Sequence, residues 1–134
     1  YVTDSGNHTI RLVQPDGTVS TLAGPAGVRG TEDDLHMATP GGLATDWVGN
    51  LYIADWGNNT IRWISPGGSV GTLAGVAGFR GNGDGPWYAA TFDHPFAVAI
   101  DRAINVYVAD TANNRVQVFK PAAKTAEMTG AVAR

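Results

Sequence analysis

The sequence contains no cysteine, and that one absence removes disulfides, zinc–thiolate sites and thiol nucleophiles together while leaving the redox compartment open. It has no uninterrupted apolar run near the ~18 residues that a membrane helix needs, so membrane insertion is not expected. Charge is scarce. Only 16% of the 134 residues are charged, 9 basic against 12 acidic, for a formal net charge of −3. With no Lys/Arg cluster, the chain lacks the electrostatic footprint of a nucleic-acid or anionic-membrane surface, and no nucleic-acid partner is expected. Helical periodicity is missing too: no segment of ten or more residues repeats apolar positions at helical spacing, and Ala89–Phe92 could form a single turn at most. The chain opens on Tyr1-Val2-Thr3-Asp4, with neither an initiator Met nor a signal-peptide pattern, which leads us to expect a processed chain or part of a longer one.

What is abundant is turn chemistry. There are 18 Gly and 7 Pro, together well above the roughly 12% of average usage. Yet 43% of residues are hydrophobic, too many for intrinsic disorder. These features are ordered by a repeat. Tyr1-Val-Thr-Asp-Ser-Gly-Asn-His-Thr-Ile-Arg11 returns as Tyr52-Ile-Ala-Asp-Trp-Gly-Asn-Asn-Thr-Ile-Arg62 and again as Tyr107-Val-Ala-Asp-Thr-Ala-Asn-Asn-Arg-Val-Gln117, at offsets of 51 and 55. Pro15, Pro66 and Pro121 keep the same register, as do Val19–Gly24 and Val70–Gly75, and Thr125–Gly130 falls on the same segment as a degenerate third copy. The difference in period sits in the loop that is Pro25–Thr39 in one copy and Val76–His94 in the next.

Within each copy, short apolar or alternating runs are bounded by Gly, Pro, Asn and Asp, which is the pattern of strands. In the second copy the spacing predicts strands over Gly42–Asp46, Leu51–Ala54, Thr60–Ile64 and Val70–Ala74, with turns at Trp47–Asn50, Asp55–Asn59 and Ser65–Gly68. The third repeats them over Phe96–Ile100, Val106–Ala109, Arg115–Lys120 and Lys124–Thr129, and the first begins at its second strand, for 11 strands in all. Four antiparallel strands per repeat of about 50 residues is the signature of a β-propeller blade.

The residues carrying the repeat, Tyr-(Ile/Val)-(Ala/Thr)-Asp, then (Gly/Ala)-Asn-(His/Asn) and Thr-Ile-Arg in two copies, preceded by Pro-x-x-(Leu/Val)-Ala-x-Asp, resemble the NHL repeat. The family's tripeptide begins at Asn7-His8, with Asn58-Asn59 and Asn113-Asn114 equivalent, while Thr9, Thr60 and Arg115 stand where its Leu would be. The loops Ala26–Gly30 and Ala77–Gly85 are similar to those of the longer-loop, bacterial-type members. The resemblance implies an all-β propeller, commonly six-bladed, used mostly as a binding platform and not for catalysis.

The expected organisation is one propeller segment over residues 1–134: a first blade over 1–24 lacking its first strand, a loop over 25–40, a second blade over 41–75, a loop over 76–94 and a third blade over 95–130. A six-bladed ring needs about 300 residues, and propellers have ~4–8 blades. Three blades cannot close alone, so only the middle one is expected to have both faces covered. The partners expected are therefore other blades, in the same longer chain or in trans.

Functional residues are fewer. Asp4, Asp55 and Asp110, with Asp46 and Asp101 nine residues before the latter two, could line a rim and hold a cation. Asp and Asn after a strand more commonly close local Asx-turns, so Asp4, Asp55, Asp110, Asn7, Asn58 and Asn113 are read as structural repeat residues. Asn82-Gly83-Asp84-Gly85 lacks the spacing and terminal Glu of a calcium loop. His8, His36 and His94 fall at different blade positions, and there is no Gly-x-Ser-x-Gly elbow. No metal, cofactor or catalytic residue is expected. Arg11, Arg62, Arg29 and Arg80 recur at fixed positions, read as intramolecular pairing or cover in preference to a basic ring.

Among Trp47, Trp56, Trp63 and Trp87, the candidates for contact with a sugar or peptide are Trp56, which replaces Ser5 and Thr111 of the other copies, and Trp87. Asn7-His8-Thr9 and Asn58-Asn59-Thr60 spell N-glycosylation sequons. Together with the resemblance to long-loop bacterial members, they suggest an extracellular or cell-surface glycoprotein. The function expected is a rigid, noncatalytic scaffold that recognises protein or carbohydrate. The alternatives are a subunit that assembles through its blade faces into a ring or filament, and part of a propeller lyase or lactonase.

Overall fold

The computed structural model describes residues 1–30 and 36–121, and the strand expected over 124–129 lies outside them. Among the described residues, ten strands form three antiparallel sheets, each a meander in chain order. The first joins β1 (Val2–Asp4), β2 (Thr9–Val13) and β3 (Val19–Ala23). The second joins β4 (Pro40–Thr45), β5 (Leu51–Asp55), β6 (Thr60–Ile64) and β7 (Val70–Ala74). The third joins β8 (Pro95–Ile100), β9 (Val106–Asp110) and β10 (Arg115–Phe119).

Side chains specify the turns. At the hairpin between β4 and β5, Asp46 Oδ1 accepts from the N–H groups of Val48, Gly49 and Asn50, and its Oδ2 accepts from Asn50 Nδ2 and the Tyr52 hydroxyl. Asp101 does the same between β8 and β9 with Ala103, Asn105 and Tyr107. These are the local Asx-turns that Asp favours. The hydrogen bonds from Asn105 hold the Asp101 carboxyl below the ordinary aspartate range, and burial with Asp46 nearby pushes the Tyr52 hydroxyl up.

A 3₁₀ turn joins β1 to β2, β5 to β6 and β9 to β10: Ser5–Asn7, Trp56–Asn58 and Thr111–Asn113. Each ends on a left-handed residue, His8, Asn59 or Asn114, at φ 59°, 58° and 55°. Asn tolerates this region better than most L-residues because its short polar side chain bonds locally. The chain leaving β3 and β7 passes close by. A Cβ at Gly24 would lie 2.3 Å from the carbonyl oxygen of His8, and one at Gly75 would lie 2.6 Å from that of Asn59, with φ +83° and +90°. Only glycine fits there, which explains the repeated Leu-Ala-Gly.

Packing is between sheets, in two slabs. Strand alternation sends Leu51 and Ile53 of β5 toward the first sheet, where they meet Ile10, Ala23 and Met37. Tyr52 and Ala54 point the other way and meet Val98, Val106 and Val108 of the third sheet. All residues of β5 and β6 are therefore buried. Beyond the slabs the outer faces are open: Val2, Val13 and Val19 on the first sheet are about half exposed, and on the third Val116 and Val118 are 68% and 59% exposed.

Two plugs in these slabs come from loops. Met37 and Phe92, both fully buried, fill equivalent positions between successive sheets. Their carbonyls accept from the N–H of Gly30 and Gly81 respectively, which closes each interblade loop on itself.

Candidate functional site

The 3₁₀ turns and the interblade loops meet at one end of the sheet stack, and a repeated polar unit joins them. Asp55, the last residue of β5, does not cap its own 3₁₀ turn. Its Oδ1 accepts from the N–H of Ala38, 17 residues earlier, at 2.7 Å, and its Oδ2 accepts from Asn58 Nδ2 at 2.7 Å. The Ala38 carbonyl in turn accepts from the N–H of Gly57. In the third sheet Asp110 repeats this, accepting from the N–H of Asp93 and from Asn113 Nδ2, while the Asp93 carbonyl accepts from the N–H of Ala112. The repeated Asp is thus a latch that holds the incoming interblade loop, and not the local Asx-turn expected for it. In the first sheet, among the described residues, Asp4 accepts from Asn7 Nδ2 alone.

Behind each latch lies a second donor. Arg62 is 2% exposed, with NH1 3.7 Å from Asp55 Oδ2 and donating to the His36 carbonyl, and Nε donating to the Gly71 carbonyl. Gln117 occupies the equivalent position in the third sheet, donating to Asp110 Oδ2 and the Thr91 carbonyl. Arg115 adds a bond of 3.0 Å to Asp110 and one of 3.0 Å to Asp84. The arginine repeat therefore faces inward at Arg62, while the loop residues Arg29 and Arg80 stay exposed, Arg80 lying 3.9 Å from Asp93.

Electrostatics separate the two latches. Burial pushes the Asp55 carboxyl up, against the pull of the Ala38 N–H, Asn58, Arg62 and the charged form of His8. At Asp110 burial also acts upward, but the hydrogen bonds from Asp93, Asn113, Gln117 and Arg115 outweigh it and hold the carboxyl below the ordinary range. Asn58 is 4% exposed with its amide nitrogen committed to Asp55, so a glycan on that nitrogen has no path to solvent; Asn7 is exposed with its amide donating to Asp4.

The tryptophans divide. Trp63 is core, and Trp47 stands exposed on a turn. Trp87 is half-buried, packed on the second slab and edge-on to Tyr88. Tyr88, 70% exposed, is the outward aromatic of that pair, and adjacency to Trp87 gave no way to tell them apart in sequence. Trp56 sits on the 3₁₀ turn, its ring tilted on the His94 imidazole at 4.3 Å between centroids. It borders a recess of about 300 Å³ whose other walls are Ser5, Thr39, Pro40, Gly41 and Phe96. All three sheets contribute, through Ser5, Trp56 and Phe96. The wall is uncharged and mostly apolar, and Ser5 Oγ is committed to the Pro40 carbonyl. Such a surface suits the flat face of a sugar ring or an apolar side chain. Among the described residues no three of His, Asp and Glu cluster as a metal site.

Three four-stranded or three-stranded meanders stacked face to face, each latched to the next by its interblade loop, define blades of a β-propeller. Residues 92–119 match the family model of the NHL repeat. Human NHL repeat-containing protein 3 is 32% identical over 127 residues, an alignment covering 89% of this chain and 34% of that protein. The chain belongs to the NHL-repeat proteins, and spans about a third of the length of this relative.

Solved structures share the fold. A structural genomics protein of unknown function from Bacteroides thetaiotaomicron superposes with TM-score 0.79 at 24% identity, over 87% of this chain and 30% of that one. An auxiliary nutrient binding protein from Bacteroides ovatus gives 0.70 at 23%, over 85% and 32%. Virginiamycin B lyase from Staphylococcus aureus, in a catalytically inactive form, gives 0.54 at 12%, over 90% and 37%.

Proposed function

We propose that these blades are part of a noncatalytic recognition platform, extracellular or at the cell surface, that seats a protein or carbohydrate ligand in the Trp56 recess. One observation carries the reading. The recess is the point where three successive blades converge on an uncharged wall, and Trp56, which with Phe96 supplies the aromatic surface of that wall, is not a repeat residue: Ser5 and Thr111 stand at its place in the other copies. A residue that the fold does not require in every blade is free to serve a ligand. The nutrient-binding description of a structural neighbour is in keeping with this use.

The test is binding of the native protein to an oligosaccharide array and a peptide array, repeated with Trp56→Ala. Losing a stacked aromatic from a recognition site typically costs 2 kcal/mol or more, so the expected result is a ligand whose affinity falls by about thirtyfold or more. The denaturation midpoint should stay close to that of the native protein. A ligand indifferent to Trp56→Ala, no binder in either array, or turnover of a bound compound would overturn the reading.

A second reading rests on a different observation. Val116 and Val118 on the open face of the third blade occupy the positions of Ile61 and Trp63, which the second blade buries against the third. The open faces are thus joints shaped for further blades, in the same longer chain or in trans.

A further inference from the structure

Each of the two seams between blades carries one more bond, made by the left-handed residue that ends a 3₁₀ turn. At the seam between the second and third blades, Asn59 Oδ1 accepts from the N–H of His94 at 2.9 Å. At the seam between the first and second, His8 Nδ1 accepts from the N–H of Thr39 at 2.9 Å. The two are equivalent: Thr39 and His94 are both left-handed, at φ 55° and 54°, and both precede the proline that opens the inner strand of the next blade. One acceptor is an amide, whose oxygen accepts at any ordinary pH. The other is an imidazole nitrogen facing a backbone N–H, which can only donate. That fixes His8 as the neutral tautomer with its proton on Nε2.

We infer that the joint between the first and second blades is a proton-operated latch, closed while His8 is neutral and released when it is protonated, whereas the joint between the second and third is not. A charged imidazole has N–H groups on both nitrogens, so Nδ1 loses its acceptor and turns a hydrogen against the N–H of Thr39. Among the described residues, the charged and titratable groups around this bond are Asp4 at the start of the same turn, Asp55 on β5, Arg62 behind Asp55 on β6, and His36 in the interblade loop. None of them supplies a replacement acceptor: the Asp55 carboxylate accepts already from Ala38, one residue before Thr39, and Asp4 accepts from Asn7. Thr39 and Pro40 also line the Trp56 recess. The shape of that recess is therefore tied to the charge of a residue on the neighbouring blade. This last consequence rests on the binding reading above, and the latch itself does not.

The test needs no ligand. Amide hydrogen exchange of the native protein, corrected for intrinsic rates, is followed from about pH 7.5 to about pH 5, the range in which imidazoles change charge. The His8 ring protons are followed by NMR in the same samples. Thr39 should lose about tenfold or more of its protection with the midpoint of His8, while the amide of His94 stays within about twofold. His8→Asn, which places in the first blade the residue the second uses, should keep Thr39 protected at neutral pH and abolish the step. The inference fails if Thr39 stays protected at the lower pH, if the step survives in His8→Asn, or if the His94 amide follows the same curve. Those failures leave the Trp56 binding result untouched, and a failed Trp56 result leaves this one standing.

Discussion

Asp55→Ala lowers the unfolding free energy by about 3–5 kcal/mol, the cost of breaking a buried charge pair by removing one partner. Two groups lose their acceptor, the N–H of Ala38 and the amide of Asn58, and the guanidinium of Arg62, which is 2% exposed, loses the carboxylate 3.7 Å away. The loss falls on the seam between the first two blades, because Ala38 belongs to the loop that enters the second. Urea denaturation of the native protein and the variant measures it. The double variant Asp55→Ala/Arg62→Met should cost less than the sum of the two single ones, because the second change removes the stranded cation. Additive costs would show that the two residues act independently.

Phe92→Ala is the second large loss, about 3–5 kcal/mol from transfer and cavity together. Phe92 is fully buried although it lies in a loop. Its ring touches the approach of Gly75, where an added Cβ would come within 3.1 Å of the phenyl edge, and lies 6.4 Å from the Phe119 ring. Removing it leaves a cavity in the second slab, whose buried members include residues of β5, β6, β7, β8, β9 and β10. Phe79→Ala is the matched control, since Phe79 is 56% exposed, and should change stability by no more than about 0.5 kcal/mol. The same urea curves distinguish the two; equal effects would mean that Phe92 is not a plug.

The meander of each blade was legible because its causes are local. Alternation marks β5 and β6, Asp46 and Asp101 close turns within four residues, and the repeated Gly24 and Gly75 mark a conformation only glycine adopts. The open outer faces followed from blade count. The latch was not legible in the same way. Asp55 and Asp110 end a strand and look like turn formers, and each does accept from an Asn three residues on, but the backbone N–H groups they hold lie 17 residues earlier, beyond the reach of any local turn rule.

Met37 and Phe92 were hidden for a related reason. Each lies in an interblade loop, in His36-Met37-Ala38 and Thr91-Phe92-Asp93, with no periodicity to place it inside. A signal was there: both stand three residues before the proline of the next inner strand, Pro40 and Pro95, and the repeat offset that aligns the strands aligns them too. At Trp56 the departure from the repeat pointed to the recess, while Trp87 is a slab residue and Tyr88 its exposed neighbour.

The repeat residues therefore hold the blades, and the proposed function gives recognition to Trp56, which escapes the repeat. Hydrogen exchange of the native protein, with and without the ligand selected on the arrays, tests that division most directly. The expected result is ligand-induced protection concentrated at the amides of residues 39, 41, 56 and 96, with the hairpin turns at the opposite end of the stack unchanged. Protection centred on those hairpin turns, or on the outer face of the third blade, would contradict it.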